Sequence, residues 1–499
     1  MLCNIINVTN LERLVILMKT KSPSKKKAST GAKIGGIVAV ILFFVLLLMP
    51  TPNGMSPEAQ KSLAVFMFAL IMWVAQPIPI YQTSIIGILI LPMIGAVEKQ
   101  KVTFGALGYD IIWLMVAAFV LTSAINETNL GKRLALSMLT KFGKTPKGTL
   151  IVLMLVNFIL AFFIPSTSAR AALLTPIIMI LLEIYKQVPG ESNFGRLITL
   201  QGVMNNHLAT SMVITATSSQ LLAVGFINKM TGSNLGYMDW LLGSMPQALI
   251  TGFIAFLIGY KMYHIKDLNI GGESTKEILK QQLQELGPMT IAEKKTAIIF
   301  ALTLLSWATG DYQEKLFGFS ISTEQTAVLS MLLCLLPKFG VIDWKQANIK
   351  WNLMIFSAGA YAIGNAFNDS GGASFVIQNF VEKIGLNTLN PNLVAVILIF
   401  ITIFSHLIFT TKTVRATILI PTIITLAKSL NIDPVPLAMA CSFGIAYTLT
   451  LPPHSKVNAL YLSLGYFDVK DELKLGLITC FIGSVVISLL YFTYYQIIF

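Results

Sequence analysis

The feature that most restricts this chain is a succession of apolar stretches, each about as long as a bilayer is thick, running from Ile34 to Phe499. A helix needs about 20 mostly apolar residues to cross the hydrocarbon. Inside it, backbone N–H and C=O groups must be satisfied by the chain itself, so only helices and closed barrels can span. Runs of this length fit helices. Charged residues make up 12% of the 499 and mean hydropathy is +0.73, against about 25% charge in a soluble domain. An ordinary soluble enzyme, a disordered chain and a fibrous repeat are thereby excluded. The sequence predicts an all-α polytopic membrane protein with about 11 transmembrane helices plus two re-entrant hairpins in two inverted-topology repeats.

Formal charge is +13, from 36 Lys and Arg against 23 Asp and Glu. In a soluble protein that excess would point to nucleic acid. In a chain of spans it belongs to cytoplasmic loops, which collect Lys and Arg, and no nucleic-acid partner is expected. Seven basic residues between Arg13 and Lys33 precede the first span, so residues 1–32 read as a basic cytoplasmic tail beside anionic lipid. The short apolar run Leu14 to Met18 is followed by Lys19, Lys21 and Lys25-Lys26-Lys27, which is not the pattern of a cleaved signal. After Lys474 the chain has no Lys or Arg, which fits a C-terminus outside and a multi-pass protein of the plasma membrane. The cysteines, Cys3, Cys334, Cys441 and Cys480, are scattered and form no CxxC pair. Neither a disulfide framework nor a metal site follows from them, and no cofactor is expected.

Residues 33–50 read as the first transmembrane helix, 51–265 as one repeat, 266–292 as a cytoplasmic linker with helical character, and 293–499 as a second repeat. In the first repeat, spans fall at about 59–75, 80–98 and 109–140, the last interrupted at Asn126-Glu127-Thr128-Asn129. A hairpin follows at about 148–185, then a span at about 195–230 broken between Thr215 and Gln220, and one at about 238–263. The second repeat follows the same plan. Its spans lie at about 294–309, 321–337 and 351–385, with a hairpin at about 391–430. A span at about 434–463, broken at Pro452-Pro453, and one at about 473–497 close the chain; each proline removes a backbone donor. Lys144, Lys147, Lys186 and Arg196 flank both ends of the first hairpin, so the chain enters and returns on one side.

Shifting the sequence by 245 positions brings Pro146 onto Pro391, Ser166 onto Thr411, Ser168 onto Thr413, Arg170 onto Arg415 and Pro176 onto Pro421. A shift of 242 brings Asn126-Glu127-Thr128 onto Asn368-Asp369-Ser370. Five spans and a hairpin make an odd number of crossings, so the halves point oppositely. The first hairpin then opens to the cytoplasm and the second to the outside. Inverted repeats with paired broken helices point to a secondary transporter with its site near the midplane.

An Arg at the centre of a span costs about 2.5–3.5 kcal/mol on insertion scales. Arg170 and Arg415 stand at matching hairpin tips, each four residues after a hydroxyl, Ser166 and Thr411. On one reading each arginine caps its own hairpin or pairs with an acid, for which Glu127 and Asp369 are the candidates. On the functional reading two guanidinium forks face each other and grip two carboxylates. Ser166-Thr167-Ser168 and Thr411-Lys412-Thr413 open new helices. Hydroxyls there cap the helix start, and the free N–H groups attract an anion; the two uses are compatible. The broken helices add Thr217, Ser218, Thr448, Thr450 and His454 to this substrate-binding set, with Asn458 as a further polar group. Lys412 either takes an electrostatic part in the site or snorkels to its mouth. His207 and His406 read as packed, satisfied imidazoles.

Two polar-tipped hairpins matched with two broken helices resemble the divalent anion/sodium symporter family, the INDY-type di- and tricarboxylate transporters, over essentially the whole chain after residue 30. Ser166-Thr167-Ser168 and Thr411-Lys412-Thr413 stand where that family carries Ser-Asn-Thr signatures, and Leu451-Pro452-Pro453-His454 where it carries a Pro-Pro-Asn loop. The run from Pro165-Ser166 to Ala169-Arg170 is similar to the citrate and 2-oxoglutarate/malate exchanger branch. The resemblance implies a homodimer in which each protomer pairs a scaffold with a transport part that works as an elevator. It also implies that, in sodium-coupled members, the two tip asparagines help build sodium sites. Thr167 and Lys412 stand in their places here, and a fixed ammonium would repel sodium.

The expected function is secondary transport of small dicarboxylates, such as succinate, malate, fumarate or 2-oxoglutarate, and not enzymatic. Fixed cations favour sodium-independent exchange, because an empty site would keep charges that a dicarboxylate cancels. A sodium-coupled dicarboxylate symporter is the alternative. A cation/proton antiporter would work through buried carboxylates, whereas these paired charges are cationic. A membrane enzyme acting on an anionic lipid would need a nucleophile or general base beside the arginines. An anion channel is a further reading, though symmetric re-entrant hairpins with broken helices favour alternating access.

Overall fold

The computed structural model describes residues 29–143, 145–164, 166–265, 272–384, 388–409 and 411–499. Most of the basic tail, the hairpin flank Lys144 and the tip residue Pro165 lie outside the described residues. Helices make up 79% of the structure and no strand occurs among the described residues, so the chain is all-α.

Helix α1 (Thr30–Leu48) turns Ile37, Ile41, Phe44 and Leu48 outward, an apolar surface suited to lipid. A first set of principal helices follows: α2 (Pro57–Ala75), α3 (Ile80–Met93), α4 (Asp110–Asn126), α5 (Leu130–Phe142), α6 (Pro146–Phe163), α7 (Thr167–Ile184), α8 (Asn193–Met212), α9 (Ser218–Thr231) and α10 (Tyr237–Met262). A linker helix, α11 (Gly272–Glu285), leads into a second set: α12 (Ile291–Ala308), α13 (Thr323–Leu335), α14 (Trp351–Asp369), α15 (Gly372–Ile384), α16 (Pro391–Phe404), α17 (Lys412–Ser429), α18 (Pro434–Gly444), α19 (Lys456–Leu462) and α20 (Val469–Leu490).

Each helix of the first set has a counterpart ten numbers later, and the packing repeats with it. α3 lies against α14 as α13 lies against α4. Likewise α9 packs on α17 and α19 on α7, while α8 meets α6 and α19 as α18 meets α16 and α9. The halves therefore exchange partners reciprocally, and each hairpin (α6–α7, α16–α17) rests against the broken helix of the other half as well as its own.

Local sequence sets the helix starts. Ser56 caps α2 with Pro57 at its first position, Thr290 and Glu293 form a capping box on α12, and Asp468 with Asp471 form one on α20. The last box begins α20 at Val469 rather than near residue 473, which draws Glu472 into the helix. The expected single span 351–385 is instead two helices, because Gly371 adopts φ 79° between α14 and the amphipathic α15.

Among the described residues, seven helices are long and apolar enough to cross a membrane. That is fewer than the spans expected, since α3, α13 and α18 are short, while α8 is polar. α8 can be polar because it is buried along almost its whole length by other helices. At its edge, the Arg133 fork on α5 meets the Glu293 carboxylate (Nε–Oε1 3.1 Å, Nη2–Oε2 3.2 Å) and the Gly287 carbonyl at 2.9 Å, which pins the linker to α5. Cys334, Cys441 and Cys480 are buried and free.

Candidate functional site

Both hairpins are built alike. α6 begins with Pro146 behind its cap Thr145, and α16 with Pro391 behind its cap Asn390. At the first tip the backbone is extended at Ser166, whose Oγ accepts from the Ala169 N–H at 3.3 Å, and α7 begins. At the second, Thr411 is extended and its Oγ1 accepts from the Val414 N–H at 3.2 Å, opening α17. These two hydroxyls cap helices that start in the interior, so the positive ends of both helix dipoles lie at the tips. Thr167 is half-buried, with its hydroxyl 3.3 Å from that of Thr210 on α8; Ser168 is exposed and Thr413 half-buried.

Arg170 and Arg415 are fully buried, and their donors go to the protein. Arg415 gives Nε to Ser405 Oγ at 2.8 Å, Nη1 to the Ile445 and Tyr447 carbonyls at 3.0 and 3.3 Å, and Nη2 to the Thr402 and Ile403 carbonyls at 2.6 and 3.2 Å. It thus ties the end of α16 to the break after α18. Arg170 gives Nη1 to the Ile164 carbonyl at 2.9 Å and Nη2 to the Asn206 carbonyl at 3.0 Å and the Thr210 hydroxyl, tying the end of α6 to α8. The expectation of two forks gripping two carboxylates is not what the geometry offers. The carbonyls at a helix C-terminus carry partial negative charge and lack partners of their own, and the guanidiniums are held there. One donor remains: Arg170 Nε is buried without a partner among the described residues, as is Asn206 Nδ2 beside it.

Neither expected acid reaches an arginine. Glu127 and Asp369 are exposed at the ends of α4 and α14, and the ion pairs among the described residues are Arg133–Glu293 and Arg196–Asp471.

The broken helices bring the remaining groups inward. α8 passes through a short 3-10 turn, Ile214–Ala216, to an extended Thr217 before α9, leaving Thr217 and Ser218 half-buried. In the second break a 3-10 turn at Pro452–His454 sits between extended Leu451 and Ser455. Thr450 is fully buried and donates to His406 Nε2 at 2.8 Å, while His406 Nδ1 donates to the Ile403 carbonyl at 2.6 Å, so His406 is satisfied. His454 is half-buried, and its Nδ1 has no partner among the described residues.

His207 is more than a packed imidazole. The Lys412 ammonium, a donor only, lies 2.9 Å from His207 Nδ1, and the Thr448 hydroxyl lies 3.2 Å from the same atom. His207 Nε2 therefore carries the hydrogen and donates to Asn458 Oδ1 at 2.8 Å. Asn458 Nδ2 in turn donates to the Thr448 carbonyl at 2.9 Å and to Glu472 Oε1 at 2.7 Å. Lys412 is half-buried and its ammonium turns inward to His207 rather than out to water. Lys412 thus reaches α8 one residue from Asn206, which the Arg170 fork meets, so both tips come to the same stretch of α8. Sequence reasoning missed Asn206, Thr210 and Glu472. The first two sit in a conspicuously polar stretch of α8, whereas Glu472 looks like loop until the capping box is recognised.

Residues 32–499 match the protein family described as the sodium:sulfate symporter transmembrane region. A membrane protein of Cupriavidus necator is 28% identical over 482 residues, covering 93% of this chain and 92% of that one. The sodium-dependent dicarboxylate transporter SdcS of Staphylococcus saprophyticus is 25% identical over 511 residues, 97% and 96% of the two chains. The citrate/succinate antiporter of Escherichia coli K12 is 25% identical over 484 residues, 91% and 95%. Among solved structures, the YdaH transporter of Alcanivorax borkumensis shares the fold at a TM-score of 0.54 and 12% identity, over 92% of this chain and 97% of its own.

Proposed function

The chain belongs to the divalent anion/sodium symporter family of membrane transporters, and from that premise we propose that it carries small dicarboxylates of the succinate, malate, fumarate and 2-oxoglutarate class across the plasma membrane. It is a transporter and not an enzyme. The observation that carries the reading is that two interior helix starts, α7 and α17, reach one stretch of α8, where Arg170 bonds Asn206 and Thr210 and Lys412 meets His207. First-turn N–H groups of both helices, the half-buried Thr167, Thr217, Ser218 and Thr413, the exposed Ser168, and Lys412 receive the carboxylates. Arg170 Nε and Asn206 Nδ2, both buried and unpaired among the described residues, add two donors for a further oxygen. Ser166 and Thr411 cap, and Arg415, Thr448 and Thr450 hold the second break in place from behind. His454 closes the site with a free ring nitrogen. Two of the relatives carry names that state the same substrate class.

The mode we propose is sodium-independent exchange. Lys412 stands where sodium-coupled members of the family place a tip asparagine, and its ammonium is fixed there by His207. On this reading residues 51–265 and 293–499 are inverted repeats, the N-terminus is cytoplasmic, the C-terminus is outside, and the protein is a homodimer whose transport parts move as elevators. Sodium-coupled symport is the second reading, supported by a relative named as sodium-dependent that spans 97% of this chain. Uptake of labelled succinate into proteoliposomes, with and without internal dicarboxylate and with and without sodium, tests both. Exchange requires uptake only into preloaded vesicles, in either buffer. Accumulation in empty vesicles under a sodium gradient refutes exchange and upholds symport. No uptake in any of the four conditions refutes the substrate class.

A further inference from the structure

Four elements, α17, α8, α19 and α20, meet through a hydrogen-bonded chain whose members all donate in the same direction. Lys412 Nζ donates to His207 Nδ1, His207 Nε2 to Asn458 Oδ1, and Asn458 Nδ2 to Glu472 Oε1, at 2.9, 2.8 and 2.7 Å. A cation stands at one end and a carboxyl group at the other. His207 and Asn458 are 1% and 0% exposed and Glu472 is 0% exposed, so water is kept from the line beyond the half-buried Lys412. The second carboxyl oxygen, Glu472 Oε2, is buried with no partner among the described residues. This acid has no part in the proposed carboxylate contacts. α20 can approach the break closely only because residue 476 is Gly: a Cβ there would strike the Leu449 carbonyl.

We propose that Glu472 is a proton-binding site linked to the transport site, so that a dicarboxylate dianion and a proton are bound together. The inference rests on the dicarboxylate reading above. With the site empty, Glu472 is the relayed counter-ion of Lys412. A dianion takes Lys412 as its own partner, and its charge opposes Glu472 along the same polarised line. A buried carboxylate without a counter-charge is unfavourable, and a proton from surface water, bonding to the free Oε2, removes the charge while Oε1 keeps its bond from Asn458. Reciprocity of linkage then requires that a protonated Glu472 favour dianion binding.

The surroundings add few competing groups. On α8 the charged and titratable residues near this line are His207 and Arg196, the latter 3.0 Å from Asp471. Tyr263, just beyond α10, also donates to Asp471, and Lys261 at the end of α10 is exposed. α19 carries the exposed Lys456 and the buried Tyr461, α18 carries Cys441, and α16 carries no titratable group. Asp468, the N-cap of α20, is exposed, as are Lys470 and Lys474 on the helix; Asp471 is half-buried against Arg196 and Tyr263, and Cys480 is buried. The tyrosines Tyr491, Tyr494 and Tyr495 follow at its far end.

The test uses the full chain in lightly buffered proteoliposomes with fumarate, which stays dianionic between pH 6.5 and 8.5. Apparent fumarate affinity is followed over that window, and a pH-sensitive dye follows proton uptake when fumarate is added. The expected result is affinity that weakens as pH rises, by up to about tenfold per pH unit, together with proton uptake on binding. Glu472→Gln should transport with a flat pH profile and no proton uptake, and Glu472→Asp should restore both. Fumarate transport with neither pH-dependent affinity nor proton uptake in the unaltered protein overturns the proton site and leaves the dicarboxylate reading standing. Pronounced pH dependence that survives in Glu472→Gln also overturns it. Absence of fumarate transport at every pH overturns the dicarboxylate reading, and the linkage with it.

Discussion

Arg415→Ala should unfold the second break rather than merely weaken substrate binding. Five acceptors surround this guanidinium, yet they do not depend on it equally. Thr402 O still receives the Ser405 hydroxyl at 2.7 Å, and Ile403 O still receives His406 Nδ1 at 2.6 Å. Ile445 O and Tyr447 O lie in the non-helical break after α18 and lose the donor that fixes them. Two buried carbonyls at about 1–3 kcal/mol each agree with the roughly 3–5 kcal/mol typical of breaking a buried charged network. Arg170→Ala should cost less, about 1–3 kcal/mol. Its acceptors keep other donors: Ile164 O receives the Ser166 N–H, and Asn206 O receives the Thr210 hydroxyl. Thermal unfolding of both variants in detergent, followed by the fraction that stays monodisperse, gives the order. Arg415→Lys should rescue little, since an ammonium has three hydrogens on one atom where five acceptors are spread around a planar fork. An Arg415→Ala protein as stable as the unaltered one, with only a raised KM for succinate, would show that this arginine faces substrate and refute its tie between α16 and the second break.

Lys412→Asn should raise the KM for succinate by about tenfold or more, as losing a desolvated charge contact costs about 2–5 kcal/mol. If the exchange reading is right, it should also let the empty carrier return, seen as uptake into unloaded vesicles. Single cysteines at the exposed Lys186 and Asn390 should label from opposite sides of the membrane; labelling of both from one side excludes the inverted repeat. Gly476→Ala should lower thermal stability by about 1–3 kcal/mol through overpacking, because its Cβ meets the Leu449 carbonyl and must push α20 from the break. A variant as stable as the original would mean that α20 has room to spare there.

The fold was largely legible because its signals are local. Apolar runs, the matched prolines Pro146 and Pro391, and the hydroxyls Ser166 and Thr411 are each read within a few residues and mark elements where the helices form. The site was less so. That Arg170 and Arg415 lie inside could be read from their apolar flanks, but their partners could not. Those partners are mostly carbonyls, which every residue possesses and no sequence advertises. Glu127 and Asp369 drew attention by their symmetry, yet the ends of α4 and α14 carry them to the surface. Glu472 lies among Lys470, Asp471 and Lys474 and reads as loop; only its position on the buried face of α20, opposite Asn458, distinguishes it. Contacts between residues 14 to 251 positions apart decide the chemistry here.

This changes the weight of the charge argument for exchange. On the sequence alone, three fixed cations remain exposed to the membrane interior whenever the carrier is empty. In the structure, Lys412 is balanced through His207 and Asn458 by Glu472, so two formal charges remain in the empty site, and a dianion bound with a proton on Glu472 leaves one. The remaining two are Arg170 and Arg415, each held against carbonyls at a helix end, whose partial negative charge offsets part of theirs. At about 2.5–3.5 kcal/mol per exposed cation, the penalty on moving the empty site is at most about 5–7 kcal/mol, and the carbonyls reduce it. The loaded site still crosses more easily than the empty one. The preference for exchange is therefore a matter of rate, set by how completely the protein's own carbonyls and Glu472 neutralise the tips. A single carboxyl group on α20, far from the hairpins in sequence, then influences both how tightly a dianion is held and how readily the empty carrier returns.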